Sequence, residues 1–223
     1  MRDTEIRDLV SGWIDGWTVS RGAADPVAEP WGWTIDVGQV AQVSRHVLPQ
    51  PGEAEVRKLV ATTSAAGTWL KLFAEDDTVR PWIGAGWHFA PPGYLMTLPL
   101  AAVRPEPRPG YTLTSWTRGG VTRVLVRNGE GHFAARGQTA VTGATAVLDQ
   151  IATAAEHRRK GLGSLVVQTL LATAHGAGAD TGILVASPDG QALYRSLGWT
   201  TRAPMASLCF QPEKGLSGIP RHG

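Results

Sequence analysis

Three consecutive cations, Arg158, Arg159 and Lys160, stand immediately before Gly161-Leu162-Gly163-Ser164, and the residues that follow, Leu165, Val166, Leu170 and Leu171, fit one face of a helix. A helix start leaves backbone N–H groups without partners, and the aligned peptide dipoles place roughly half a positive charge there. An anion is the natural partner. Gly161 and Gly163 carry no Cβ, so backbone amides can close around a pyrophosphate, while the cations add charge that the amides alone do not supply. Residues 158–164 read as a pyrophosphate cradle; the plain alternative is a basic surface turn capping an ordinary helix.

Two other phosphate-binding patterns fail on spacing. The nucleotide loop ending in Gly-Lys-Ser/Thr needs four residues between its glycines, and only Leu162 separates Gly161 from Gly163. The dinucleotide fingerprint needs a third glycine at position 166, which is Val166. What remains, Arg-x-x-Gly-x-Gly at Arg158, Gly161 and Gly163, resembles the acyl-coenzyme A loop of the GNAT superfamily of N-acetyltransferases. The surroundings resemble that family too. A strand over Val147 to Thr153 leads in, a second strand follows at Gly182 to Val185, and Ala192-Leu193-Tyr194-Arg195-Ser196-Leu197-Gly198-Trp199 supplies the tyrosine-bearing helix ending in Gly-aromatic. One departure stands at Ser187-Pro188-Asp189-Gly190, where many members have an asparagine; Ser187 offers a hydroxyl for that contact. The resemblance spans roughly residues 111 to 210.

The resemblance implies a mixed-sheet α/β fold, acetyl-coenzyme A as cosubstrate, an amine acceptor and no metal. It assigns Arg158, Arg159, Lys160, Gly161, Leu162, Gly163, Ser164 and Ser187 to the cosubstrate. The backbone amides of Ile151, Ala152 and Thr153 are expected to bond the pantetheine arm and polarise the thioester carbonyl. Tyr194 matches the family's usual general acid, able to protonate the departing thiolate; a tyrosine packed against the sheet is its structural alternative. A lysine-like acceptor amine, with a pKa of about 10.4, is mostly charged at neutral pH, so a carboxylate must help remove its proton. Asp149 is the candidate base, because it lies on the strand entering the cradle two residues before Ile151 and on the same side. An exposed strand-end aspartate is the alternative.

The elements that position these residues are legible in the second half. Tyr111 to Trp116, Val121 to Arg127, His132 to Val141 and Ala146 to Thr153 read as successive strands, with Asn128-Gly129 as a hairpin turn. Before them, Arg104-Pro105-Glu106-Pro107-Arg108-Pro109-Gly110 has proline at alternate positions and reads as a stiff linker. The expected division is therefore 1–103, a linker at 104–110, and an acetyltransferase-like 111–223 whose tail from Pro212 is expected to be mobile. The segment between Tyr111 and Val121 is too short for the helix pair that usually covers the acceptor side in this family, so something else must cover it.

The first half carries a weak echo of the second. Leu59 to Phe73 can be laid beside Leu170 to Val185, each a helix end running into a strand; Gly86-Trp87 then answers Gly198-Trp199, each leading to a proline-containing turn and a last strand, Tyr94 to Leu98 and Ala206 to Phe210. This suggests a degenerate GNAT-like copy. Before its helix stand Pro49-Gln50-Pro51-Gly52-Glu53-Ala54-Glu55, acidic and without Gly-x-Gly, so it should bind no pyrophosphate. Seven of the nine tryptophans, Trp13, Trp17, Trp31, Trp33, Trp69, Trp82 and Trp87, fall in this half, as packing residues or as the lining of an acceptor pocket. Trp31 and Trp33 are expected to share one face of a strand.

Composition narrows the function classes. Of 223 residues, Lys+Arg number 21 and Asp+Glu 19, so no global basic field argues for nucleic acid. The single cysteine, Cys209, rules out an internal disulfide and a cysteine-based metal site, and reads as a small core residue. The six histidines are scattered without helical metal-site spacing, His157 being expected at the surface beside the cradle. No apolar run reaches 18 residues and the polar opening is no signal peptide, which implies a cytoplasmic protein without a membrane partner. No Gly-x-Ser-x-Gly elbow suggests a hydrolase. Two classes survive: an N-acetyltransferase acting on a primary amine of a small molecule, peptide or protein, and a non-catalytic acyl-coenzyme A-binding module. The strand after Pro204 can pair within the chain or with a second copy, which leaves room for a homodimer.

Overall fold

The computed structural model describes residues 2–212, so the mobility expected beyond Pro212 concerns a segment outside the described residues. In chain order the regular elements are α1 (Arg2–Arg21), β1 (Val27–Glu29), β2 (Gly32–Gln39), β3 (Gln42–Leu48), α2 (Glu53–Thr62), β4 (Thr68–Leu72), α3 (Asp76–Val79), β5 (Trp87–Pro99), β6 (Tyr111–Arg118), β7 (Val121–Asn128), β8 (Phe133–Thr142), β9 (Thr145–Thr153), α4 (Leu162–Gly176), β10 (Thr181–Ala186), α5 (Pro188–Ser196) and β11 (Thr200–Phe210). The four strands read from the second half form as expected, and the Asn128 carboxamide oxygen accepts from the N–H groups of Glu130 and His132 to tighten the β7–β8 turn.

The eleven strands among the described residues form one sheet, in the order β1-β2-β3-β4-β11-β5-β10-β9-β8-β7-β6. This order reads alike from both sides when β2, β3, β4 and β5 are matched with β8, β9, β10 and β11. Each series runs through one parallel pair, β3 with β4 and β9 with β10, bridged by α2 and α4 respectively. The last strand of each series crosses into the other: β11 pairs with β4 and β5, and β5 with β10 and β11. Strands on both sides of the Pro-rich segment thus share one sheet. The strand after Pro204 lies inside it, so that edge is not available to a second copy.

Two local expectations are corrected. The proline-containing turns before the last strands are absent, because Pro91 and Pro92 sit within β5, opposite Ala206 in a bulge between the pairs Ser207–Ala90 and Met205–Gly93. A bulge is where a sheet tolerates residues that cannot donate to the ladder. Trp31 stands in the turn before β2, and it packs in a different apolar cluster from Trp33, so the two do not share a face.

Helices cover both faces. Under α4, Leu162, Leu165, Val166 and Leu170 pack on Val124, Val126 and Leu148. On the other face lies α1, whose Val10, Trp13, Ile14 and Trp17 recur at i, i+3, i+4, i+7 and are buried against Val147, Ile183 and Leu95. Gly16 lets α1 approach this closely: a Cβ there would stand 2.4 Å from Val147 Cγ2. The amino-terminal helix is therefore the cover that the short β6–β7 connection could not provide. Its last turn is fastened by Gln138, whose buried amide donates to Ser20 O at 2.7 Å and to Ser20 Oγ at 2.8 Å.

Candidate active site

The site begins where two strands part. β9 and β10 pair in parallel only from Thr145–Thr181 to Val147–Ile183. Beyond Val147 a bulge at Gln150, with φ of 53°, shifts the register against β8 and turns β9 away. It also corrects the expectation that Asp149 and Ile151 share a side: Asp149 meets α1 and Ile151 packs toward α4. The backbone of residues 151–153 consequently faces a gap where β10 would have been, and an unpaired strand edge supplies hydrogen-bonding groups to a ligand.

At the end of this gap lies the glycine-rich turn. Arg159 (φ 58°) and Gly161 (φ 76°) are both left-handed, and Gly161 caps α4 with no side-chain partner. Alternation of this kind turns successive N–H groups toward one concavity, at the positive end of a helix of 15 residues. Ile151, Ala152, Thr153, His157, Arg158, Arg159, Gly161, Leu162, Gly163, Ser164, Ser187, Asp189, Gly190 and Leu193 line the resulting cavity of about 680 Å³. The Leu162 side chain is buried in the core, so it offers the cavity its backbone. Lys160 is exposed and stands outside the lining. Ser187 serves as the N-cap of α5, accepting from Gly190 N–H at 3.1 Å, with Pro188 next in the first turn. His157 is buried and not on the surface: its Nδ1 hydrogen bonds with Tyr111 Oη at 3.1 Å.

A second cavity, of about 400 Å³, shares Ile151, Ala152, Thr153, Gly163, Ser187, Gly190 and Leu193 with the first. It is further lined by Trp13, Trp17 and Arg21 of α1, Arg45 of β3, Lys71 of β4, Asp149, Gln150, Tyr194 and Met205. Asp149 is nearly buried here, at 13 % side-chain exposure, and forms an ion pair with Arg21. Arg21 Nη2 donates to its Oδ1 at 2.9 Å, Arg21 Nε donates to its Oδ2, and Ser20 Oγ donates to Oδ2 at 3.1 Å. The pairing raises the Arg21 guanidinium above its usual range, chiefly through the side-chain hydrogen bond. Tyr194 is 7 % exposed, edge-on to Trp199 at 5.8 Å. Burial, and then the nearby Asp149 charge, push its phenol well above the usual value, so it remains protonated at any physiological pH.

Two further cations stand in this cavity. Arg45 is 7 % exposed, with its guanidinium stacked over Trp17 at 3.8 Å and beside Trp13 at 5.9 Å. Lys71 is 8 % exposed; its Nζ donates to Ser207 Oγ at 3.0 Å and lies 4.4 Å from the Trp69 ring. Burial lowers Arg45 to about 9 and takes Lys71 well below its usual value, the Arg45 charge adding to the second shift. A group with a pKa of about 9 is still charged at neutral pH.

The sequence pointed to the cradle, to the amides of 151–153, to Asp149 and to Tyr194, and these line two joined cavities, Lys160 alone standing apart. It missed Arg21, Arg45 and Lys71, which come from elements remote in sequence, and Arg108, treated as linker. The Arg108 guanidinium lies against Gly161, where a Cβ would approach its Nε to 2.9 Å, and that Nε has no hydrogen-bond partner. The only prior signal was a cation within a run of prolines.

A parted parallel pair, a left-handed basic turn and a tyrosine across the gap are thus the features that this site assembles. Residues 96–199 match the family model for Acetyltransferase (GNAT) family, so this stretch carries a GNAT acetyltransferase domain. A search of curated proteins finds no match. Among solved structures the chain is similar to a GCN5-related N-acetyltransferase from Kribbella flavida, at 18 % identity and a TM-score of 0.64, covering 95 % of this chain and 96 % of that one. It is also similar to a GCN5-related N-acetyltransferase-like protein from Streptococcus suis, at 13 % identity and a TM-score of 0.60, covering 93 % and 99 %. At these identities the likeness concerns the fold, and it extends over the amino-terminal half as well as the matched domain.

Proposed function

We propose that the protein transfers an acetyl group from acetyl-coenzyme A to a primary amine. The observation that carries this reading is the continuity of the two cavities along the free edge of β9, which leads from a diphosphate-sized cradle to a pocket walled by Asp149 and Tyr194. The cradle amides of 159–164, with Arg158, Arg159 and Arg108, fit a diphosphate, and the edge of residues 151–153 fits an extended pantetheine arm. Acetyl-coenzyme A supplies an acetyl group activated as a thioester. In this reading the amides at the bulge stabilise the charge that develops on the carbonyl oxygen. Asp149, held by Arg21 and Ser20, takes the proton released as the C–N bond forms, directly or through water, since Oδ1 accepts only one hydrogen bond and keeps a lone pair. Tyr194 gives its phenol proton to the sulfur as the C–S bond breaks, and recovers it from solvent.

The first half supports the pocket as a degenerate copy of the same unit. Its topology mirrors the second half, yet the start of α2 carries Glu53 and Glu55, and Glu55 Oε2 lies 2.3 Å from where a Cβ of Gly52 would stand. That helix start is met by its own carboxylate, leaving no place for a diphosphate. Its strands instead bring Arg45 and Lys71 to the pocket of the other half.

Thiol release from acetyl-coenzyme A over a panel of amines tests the reading. Release above background hydrolysis with at least one amine is expected. Coenzyme A binding without release on any amine would instead favour a non-catalytic acyl-coenzyme A-binding module.

A further inference from the structure

The acceptor pocket holds more positive charge than its protein partners neutralise. Arg21 and Asp149 satisfy each other. Arg45 and Lys71 make no ion pair among the described residues, and Arg45 Nε is a buried donor without a hydrogen-bond partner. Taking a cation out of water is unfavourable unless it is paired, and a lone buried donor adds its own desolvation cost. Stacking on Trp17 compensates the face of the guanidinium. It leaves the edge, with its fork of N–H groups, unused, and that fork matches a carboxylate.

We propose that the acetyl acceptor carries a carboxylate, bound by the edge of Arg45 at the β3–β4 side of the cavity, with its amine directed to the Asp149 and Tyr194 side. This rests on the acetyltransferase reading and gives the acceptor its class, an amino acid or a compound with an amine and a carboxylate at a fixed separation. The same residues explain the chemistry left over by the reaction: neither Arg45 nor Lys71 has a part in proton transfer, and a cationic wall disfavours a purely cationic amine. Trp13 and Trp17 supply the apolar wall between the two ends. Lys71, hydrogen-bonded to Ser207, stands as a second donor beside the bound anion.

The experiment compares matched pairs in the unmodified protein: α-, β- and γ-amino acids against their carboxamides, in the presence of coenzyme A. Binding is read from tryptophan fluorescence, and turnover from thiol release when acetyl-coenzyme A replaces coenzyme A. At least one amino acid should bind on the order of tenfold to hundredfold more tightly than its carboxamide, the worth of a charge-assisted hydrogen bond. Arg45→Gln should bring that ratio close to one while the coenzyme A affinity, measured by calorimetry, stays unchanged. Equal affinities within every pair, or no binding by any carboxylate, overturns the proposal, and this comparison stands even if the variant does not fold. Failure of the unmodified protein to bind coenzyme A would instead refute the underlying acetyltransferase reading.

Discussion

Replacing Gly161 with alanine should weaken coenzyme A binding by more than its effect on the fold suggests. At φ of 76° an L-residue pays about 1–2 kcal/mol that glycine does not. Reduced freedom of the unfolded chain returns about 0.4–1 kcal/mol, so net destabilisation is about 1 kcal/mol, or roughly 2–4 °C in Tm for a chain of this size. The new Cβ would stand 2.9 Å from Arg108 Nε, the end of a flexible side chain, so Arg108 moves away and the cradle loses a cation. In the free protein the turn can relax out of its left-handed form. A ligand that needs the nest must restore it, and the strain then appears in affinity, as roughly a five- to thirtyfold rise in Kd. Gly178 is the control: at φ of 92° with nothing within 4 Å of its Cβ, alanine there carries the same backbone cost far from the cradle. Calorimetry with coenzyme A and thermal melting of both variants provide the measurement. A lowered Tm with unchanged Kd for Gly161→Ala, or an equal loss of affinity for Gly178→Ala, would refute the reasoning.

Other outcomes follow from the same geometry. Tyr194→Phe keeps the packing on Trp199 and removes the acidic proton, so kcat should fall by roughly 10²–10⁴ with coenzyme A affinity unchanged, by thiol-release kinetics and calorimetry; full turnover would exclude Tyr194 as the acid. Arg21→Met frees the Asp149 carboxylate from its clamp and should lower kcat/KM for the acceptor without altering the cosubstrate Kd; equal loss of both would mean that Arg21 acts on the fold alone. Lys71 is depressed below 10.5, so the folded protein sheds a proton that the unfolded chain keeps, and this group adds stability as pH rises toward 10.5. Denaturant unfolding at pH 7 and pH 9.5 should show a smaller gain for Lys71→Met than for the unmodified protein, and equal gains would contradict a buried, unpaired ammonium. Gly16→Ala, whose Cβ would stand 2.4 Å from Val147 Cγ2, should cost about 1–3 kcal/mol by overpacking α1 on β9, read as a lower denaturation midpoint.

Local chemistry made the second half legible. Alternating strands from Tyr111 to Thr153, the Asn128 turn and the Gly161–Gly163 pair each declare themselves within a few residues, and the structure places them as read. The rest depends on contacts that no window contains. Arg21 reaches Asp149 across 128 positions and Lys71 reaches Ser207 across 136. These follow from α1 docking on the far face and from β11 entering between β4 and β5. Pro91 and Pro92 looked like a turn because a proline cannot join a regular ladder, and the bulge opposite Ala206 is the other solution to that constraint. Trp31 and Trp33 failed for a related reason, since the two-residue rule holds only within a strand and Trp31 precedes one.

A crystal structure of the protein with coenzyme A is the most direct measurement. The diphosphate should lie within hydrogen-bonding distance of the backbone amides of residues 159–164, with the pantetheine arm along residues 151–153 and its thiol beside Tyr194. A diphosphate bound at any other place on the protein would contradict the account.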